Sequence, residues 1–162
     1  MVRKITALVL LCVLCITLAL SLDSCSEERS AHALMAEFCA SYGIRSAIYS
    51  PSAREGEVGY VADGFFAELY GEGEEWAEDY AVVLLSDLGR ASECAVFICY
   101  TDFDAAQVTD MLHRRIELIR SVCAVSGLAF PEGAFVYREG RAVVMCALDR
   151  PENAKKLWRE IL

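Results

Sequence analysis

Residues 79–101 read "DYAVVLLSDLGRASECAVFICYT". Two runs rich in β-branched and aromatic residues, "DYAVVLLSDL" and "ECAVFICYT", flank the turn-forming "GRAS". Such runs suit a pleated backbone, and a short glycine-containing connection folds the second run back on the first. The expectation is an antiparallel hairpin. Cys94 and Cys99 lie on its second strand, an odd number of residues apart, so they point to opposite faces and do not pair with each other.

Working outward, "TDFDAAQVTDMLHRRIELIRSVCAVSG" carries the strongest helical pattern. Thr101 or Asp102 caps it, and acids gather in its first turn, where the helix dipole favours them. Val108, Leu112, Ile116, Ile119 and Cys123 form an inward stripe, Asp110 and Arg114 an i,i+4 pair on the wet side, and Gly127 the stop. "GAFVYREGRAVVMCALD" predicts a second hairpin with Glu139-Gly140 at its turn. "RPENAKKLWREIL" predicts a closing helix with Pro151 in its first turn and Ala154, Leu157, Trp158 and Ile161 on its apolar side.

Upstream, "SEERSAHALMAEFCASYG" predicts an amphipathic helix capped by Ser26 or Ser30 and stopped by Gly43. "IRSAIYSP" reads as a strand closed by Pro51, residues 52–59 as a charged loop, and "ADGFFAELYG" as a short helix stopped by Gly71. "GEGEEWAED" is strongly acidic but lacks the alternating oxygen ligands of a calcium loop, so it reads as a solvated loop or helix start. Hairpins imply an antiparallel sheet, and amphipathic helices imply a cover on one face. The expected fold is therefore α+β, with a single antiparallel sheet of four or five strands. No βαβ glycine motif is present, which disfavours a dinucleotide fold.

The first two dozen residues are of another kind. "MVRK" is basic, and no charge occurs from Ile5 to Leu22. A basic start before an apolar run is the pattern of an export signal, and the basic flank holds that end in the cytoplasm. Three fates fit. Leu22, Ser24 and Cys25 resemble a bacterial lipobox, with Cys25 receiving the lipid, although Asp23 stands where a small uncharged residue is usual. Ala19-Leu20-Ser21 has the form of a signal peptidase site. The uncleaved run is also just long enough to span a bilayer. A segment apolar on every face needs lipid or a very large core, which excludes a buried helix in so small a domain. Residues 1–24 are thus expected to be a signal peptide or membrane anchor. Residues 25–162 are expected to form one extracytoplasmic domain.

The net charge of −9 and pI of about 4.7 exclude nucleic acid as a natural partner, because an acidic surface repels phosphate. A mean hydropathy of +0.34 reflects the apolar N-terminus. Of eight cysteines, Cys39, Cys94, Cys99, Cys123 and Cys146 lie beyond the boundary, each among apolar residues, and read as buried core thiols. One disulfide is compatible with export, but the sequence does not choose its pair.

From about Phe65 onward, the chain resembles a family of small lipoproteins and exported proteins of Clostridia-type bacteria, domain of unknown function 4358. The resemblance rests on "ELYG", "EDYAVVL", "ASECAVFICY", "DFDAAQVTDMLHRRI" and "GAFVYREGRAVVMCAL". The family's acidic residue and tyrosine at a strand start fall on Asp79 and Tyr80. Its acid-led "x-A-V-F" strand falls on Glu93, Ala95, Val96 and Phe97, its helix-capping aspartate on Asp102 or Asp104, and its hairpin glycine on Gly140. The resemblance implies export, a lipid anchor and no assigned activity.

Catalytic signatures are scarce. His32 and His113 fall on separate helices, not in a zincin pair, and there is no G-x-S-x-G motif and no P-loop. No metal or cofactor is expected. His113, Arg114 and Arg115 make a small basic spot, open to an anionic partner unless Asp110 and Glu117 pair with it. Asp79 and Glu93 are the one pair of carboxylates that might meet across the hairpin; the alternative is that both begin strands and face water. Asp79, Tyr80 and Glu93 are therefore the candidate surface. The first functional expectation is a non-catalytic domain, tethered by lipid or helix, that binds a protein or small molecule or supports an envelope assembly. The others are an envelope enzyme using those carboxylates and an uncleaved single-span membrane protein. The sequence sets no oligomeric state.

Overall fold

A computed structural model describes residues 29–87 and 90–162 of the chain. The signal or anchor segment, with Leu22, Ser24 and Cys25, lies outside the described residues. Among the described residues, no helix is long and apolar enough to cross a membrane.

The fold is α+β, built on one antiparallel sheet of four strands. These are β1 (Ala77–Asp87), β2 (Arg90–Cys99), β3 (Phe135–Glu139) and β4 (Ala142–Ala147). Their spatial order is β1-β2-β4-β3, so each hairpin contributes its second strand to the centre. Among the described residues, four α-helices accompany the sheet: α1 (Ala31–Tyr42), α2 (Phe65–Tyr70), α3 (Asp102–Ser126) and α4 (Pro151–Ile161).

The helices cover both faces of the sheet, which corrects the expectation of a single covered face. Ala81, Val83, Cys94, Val96, Val144 and Cys146 pack with residues of α1 and α4, including Phe38 and Trp158. The alternate residues Tyr80, Val82, Ala95, Phe97, Val143 and Met145 pack with α2 and α3. The physical reason is visible in β1, β2 and β4, where consecutive residues are apolar rather than alternating with polar ones. A strand buried on both sides has that pattern. Burying one Val or Phe side chain contributes about 1.5–3 kcal/mol, so leaving either face wet would forfeit a large part of the fold's stabilisation.

The helix boundaries follow their caps. Ser30 Oγ accepts from the Ala33 N–H at 3.2 Å, which selects Ser30 over Ser26 as the α1 cap. Thr101 Oγ1 accepts from the Asp104 N–H at 3.1 Å and so begins α3. Gly127 ends α3 in the left-handed region, at φ 68°, where its N–H reaches Cys123 O. All five residues of the expected inward stripe are buried, together with Ala105 and Met111.

Three details depart from expectation. "IRSAIYSP" is not a strand: it touches β1 by a single bridge, Tyr49 to Val82, with both backbone bonds at 2.8 Å. Further along the edge, the Ser46 hydroxyl donates to Leu84 O at 3.3 Å, in a place where a strand would put a backbone N–H. The second hairpin turns at Gly140-Arg141 rather than Glu139-Gly140, because Glu139 still pairs with Ala142. Asp110 and Arg114 form no ion pair, and Glu117 pairs with Arg120 rather than His113, at 2.6 Å.

Candidate functional site

Glu93 opens the polar part of the candidate site. It belongs to β2, stands opposite Leu84 of β1, and is only 3% exposed, on the sheet face covered by α3. A carboxylate so buried requires partners, since an isolated ion in an apolar interior is very costly. Arg115 of α3 supplies them, with Nη2 2.6 Å and Nε 3.1 Å from Glu93 Oε2. Tyr70, the last residue of α2, donates its hydroxyl to Oε1 at 2.9 Å. The Arg115 guanidinium also lies over the Tyr70 ring, 5.6 Å from its centroid.

Burial, and then the charge of Glu93, hold the Tyr70 hydroxyl well above its ordinary range, so it remains a donor. Burial pulls the Arg115 guanidinium downward, but the hydrogen bond and charge of Glu93 outweigh this and raise it. The three groups thus form a fixed polar unit in which sheet, short helix and long helix converge. Arg115 Nη1 finds no acceptor among the described residues.

Beside this unit a groove of about 580 Å³ opens between the β1–β2 hairpin and the C-terminal half of α3. Leu84, Ala91, Leu118, Ile119, Val122 and Leu128 give it apolar walls, while Tyr49, Ser92, Glu93 and Arg115 supply polar groups. Leu118 is 52% exposed and Val122, one turn on, 47%. Val125 continues that line at 90% exposure. Long apolar side chains in this number, on one side of one helix and continuous with a groove, are the usual marks of a binding surface.

The candidate residues read from the sequence do not come together. Asp79 pairs with Ile98 and Glu93 with Leu84, so they sit far apart along the hairpin and on opposite faces of the sheet. Neither simply faces water. Asp79 Oδ2 accepts from the Ala31 N–H at 2.7 Å and ties the start of α1 to β1, while Oδ1 accepts from the Tyr80 N–H at 2.9 Å. Tyr80 packs against Phe97 and Phe66, at centroid distances of 5.9 and 5.2 Å. Burial, with help from Glu74 and Asp79, pushes its hydroxyl up to about 12. Of the three, only Glu93 reaches the groove.

The sequence does not mark Tyr70, Leu118, Val122 or Leu128, and it marks Arg115 only as part of a small basic spot with His113 and Arg114. Arg115 carried a signal, because it lies three residues after Leu112 and four before Ile119, within the inward stripe rather than on the wet side. A charge in such a position calls for a buried partner. Nothing local pointed to Tyr70, which reaches Glu93 only through the packing of α2. Comparison with protein-family models, curated proteins and solved structures finds no match for this chain.

Proposed function

We propose that this chain is a membrane-tethered extracytoplasmic binding domain. Its groove takes a small ligand with an apolar body and one hydrogen-bond acceptor. The observation that carries this reading is the join between apolar walls and a fixed Glu93–Arg115–Tyr70 unit with donors to spare. Pockets that recognise small molecules combine a largely apolar lining with a few oriented polar groups. The tether rests on the basic start, the apolar run and the lipobox-like Leu22, Ser24 and Cys25.

A naphthalene sulfonate dye tests the groove, since it has an apolar body and an acceptor head. It is titrated against the full chain in lipid nanodiscs, with empty discs as the blank. The expected result is saturable binding, weakened at least tenfold by Leu118→Glu, which puts a charge on the exposed wall. Equal binding by the parent and the variant would remove the groove from consideration. The tether is read separately, from the intact mass of chain recovered from membranes, beside Cys25→Ala. A mass beginning at Cys25 and carrying a diacylglyceryl group, lost in the variant, is the expected outcome. A mass that retains the apolar segment would instead make it an uncleaved single-span anchor.

A further inference from the structure

The face covered by α1 and α4 holds three buried thiols: Cys39, Cys94 and Cys146. Cys94 and Cys146 are direct partners in the β2–β4 register. The Cys99 N–H donates to Arg141 O at 3.0 Å, which makes Cys99–Arg141 a hydrogen-bonded pair and fixes the phase of the ladder. Hydrogen-bonded and non-hydrogen-bonded pairs alternate from there, which makes Cys94–Cys146 a non-hydrogen-bonded pair. In that class the Cα atoms stand about 4.5 Å apart and the side chains approach closest. This falls within the span that a disulfide bridges, roughly 4.4–6.8 Å. The sulfurs themselves are 3.2 Å apart, so they need to close by only about 1.2 Å to reach bonding distance.

We propose that Cys94 and Cys146 form a structural disulfide between β2 and β4 in the exported chain. The oxidising setting it needs rests on the extracytoplasmic reading above. Two Sγ–H bonds break and one Sγ–Sγ bond forms. The two electrons reduce a low-molecular-weight disulfide, such as oxidised glutathione, through a mixed disulfide. Its two sulfurs leave as thiols carrying the two protons. Both cysteines are sealed from solvent in the finished fold, so the bond forms as the strands dock rather than afterwards. It joins the two central strands of the sheet and closes a loop between residues 52 apart in sequence.

Cys39 shares the cluster but belongs to α1, and Cys99 and Cys123 belong to the other face. Among the described cysteines, the strand register and the 3.2 Å sulfur separation single out Cys94 and Cys146. Trp158 provides an internal reporter: its buried indole N–H faces the Cys94 sulfur and has no other hydrogen-bond partner among the described residues. A disulfide quenches a neighbouring indole more strongly than two thiols do.

The full chain in detergent is unfolded and then refolded in a buffer of oxidised and reduced glutathione. Remaining thiols are blocked with N-ethylmaleimide in denaturant, and the chain is digested without reduction. The expected product is one linked peptide pair joining Cys94 to Cys146, located by fragmentation, with Cys39, Cys99 and Cys123 labelled. In Trp76→Phe, reductant should brighten Trp158, and Cys94→Ala should abolish that response. Label on both Cys94 and Cys146, or a link from either to another cysteine, would overturn the proposal. The same mapping is applied to chain taken from membranes, where the linked pair is again expected. Free thiols there overturn the disulfide in the exported chain. If the refolded chain nonetheless carries the bond, the fault lies with the reading of export and not with the strand geometry.

Discussion

Glu93 and Arg115 meet where β2 passes under α3, with side chains 4% and 15% exposed. Their mutual attraction offsets a large desolvation cost, so the pair as a whole contributes little while either half alone is a liability. Arg115→Leu strands a buried carboxylate with only the Tyr70 hydroxyl for company. The expected loss is about 3 kcal/mol, typical of breaking a buried pair. Adding Glu93→Met to Arg115→Leu removes the stranded charge and should recover most of that loss. Urea denaturation of the parent, both single variants and the double variant completes the cycle. A double variant no better than Arg115→Leu would show that Glu93 is not the source of the cost. The cycle also bears on recognition from sequence. Glu93 was legible as a candidate because it opens a strand, but its burial was not, since the group that neutralises it lies 22 residues away.

Elements with their own punctuation were legible, and those that depend on neighbours were not. α1 and α3 announce themselves by cap, stripe and stop, and α4 by its first-turn proline and stripe, and each lies where those signals place it. "IRSAIYSP" has strand composition, yet it forms only the Tyr49–Val82 bridge, because the following loop crosses back over it. Gly59 makes that crossing: at φ 89°, its backbone passes so near Ile48 O that an added Cβ would sit 2.0 Å from it. The double cover of the sheet is written in the unbroken apolar runs of β1, β2 and β4, not in the hairpins that join them. The α3 cap is local enough to test alone. Thr101→Ala removes the acceptor for the Asp104 N–H and the hydroxyl that donates to Asp104 Oδ2 at 2.6 Å. The expected cost is about 1 kcal/mol. It should appear as a lower urea midpoint with an unchanged slope, and a changed slope would mean that the variant alters more than the helix end.

The two cores share one sheet, and their contributions alternate residue by residue along the same strands. Ala81 and Val83 serve one face while Tyr80 and Val82 serve the other. Neither core can dissolve without releasing the strands that hold its counterpart, so the described domain should unfold in one step. The chain's two tryptophans offer a direct check, because each reports on a different core. Trp158 lies fully buried with the α1–α4 side, stacked on Phe38 at a centroid distance of 4.5 Å. Trp76 packs against the α2–α3 side. Trp76→Phe leaves fluorescence from the first core alone, and Trp158→Phe leaves it from the second. Phe at 158 removes some buried area and lowers the midpoint of that variant, so each fluorescence curve is compared with far-ultraviolet circular dichroism of the same protein. Within each variant the two curves should coincide across the urea transition. A fluorescence change in Trp76→Phe that precedes the loss of secondary structure would mean that α1 and α4 leave the sheet first, and that the α2–α3 core stands without them. Coincidence in both variants would instead show that the two cores unfold together, so that the groove between α3 and the first hairpin persists only while the opposite face is packed. Destabilising substitutions near Trp158 would then weaken dye binding only by lowering the folded fraction, with no contact to the groove.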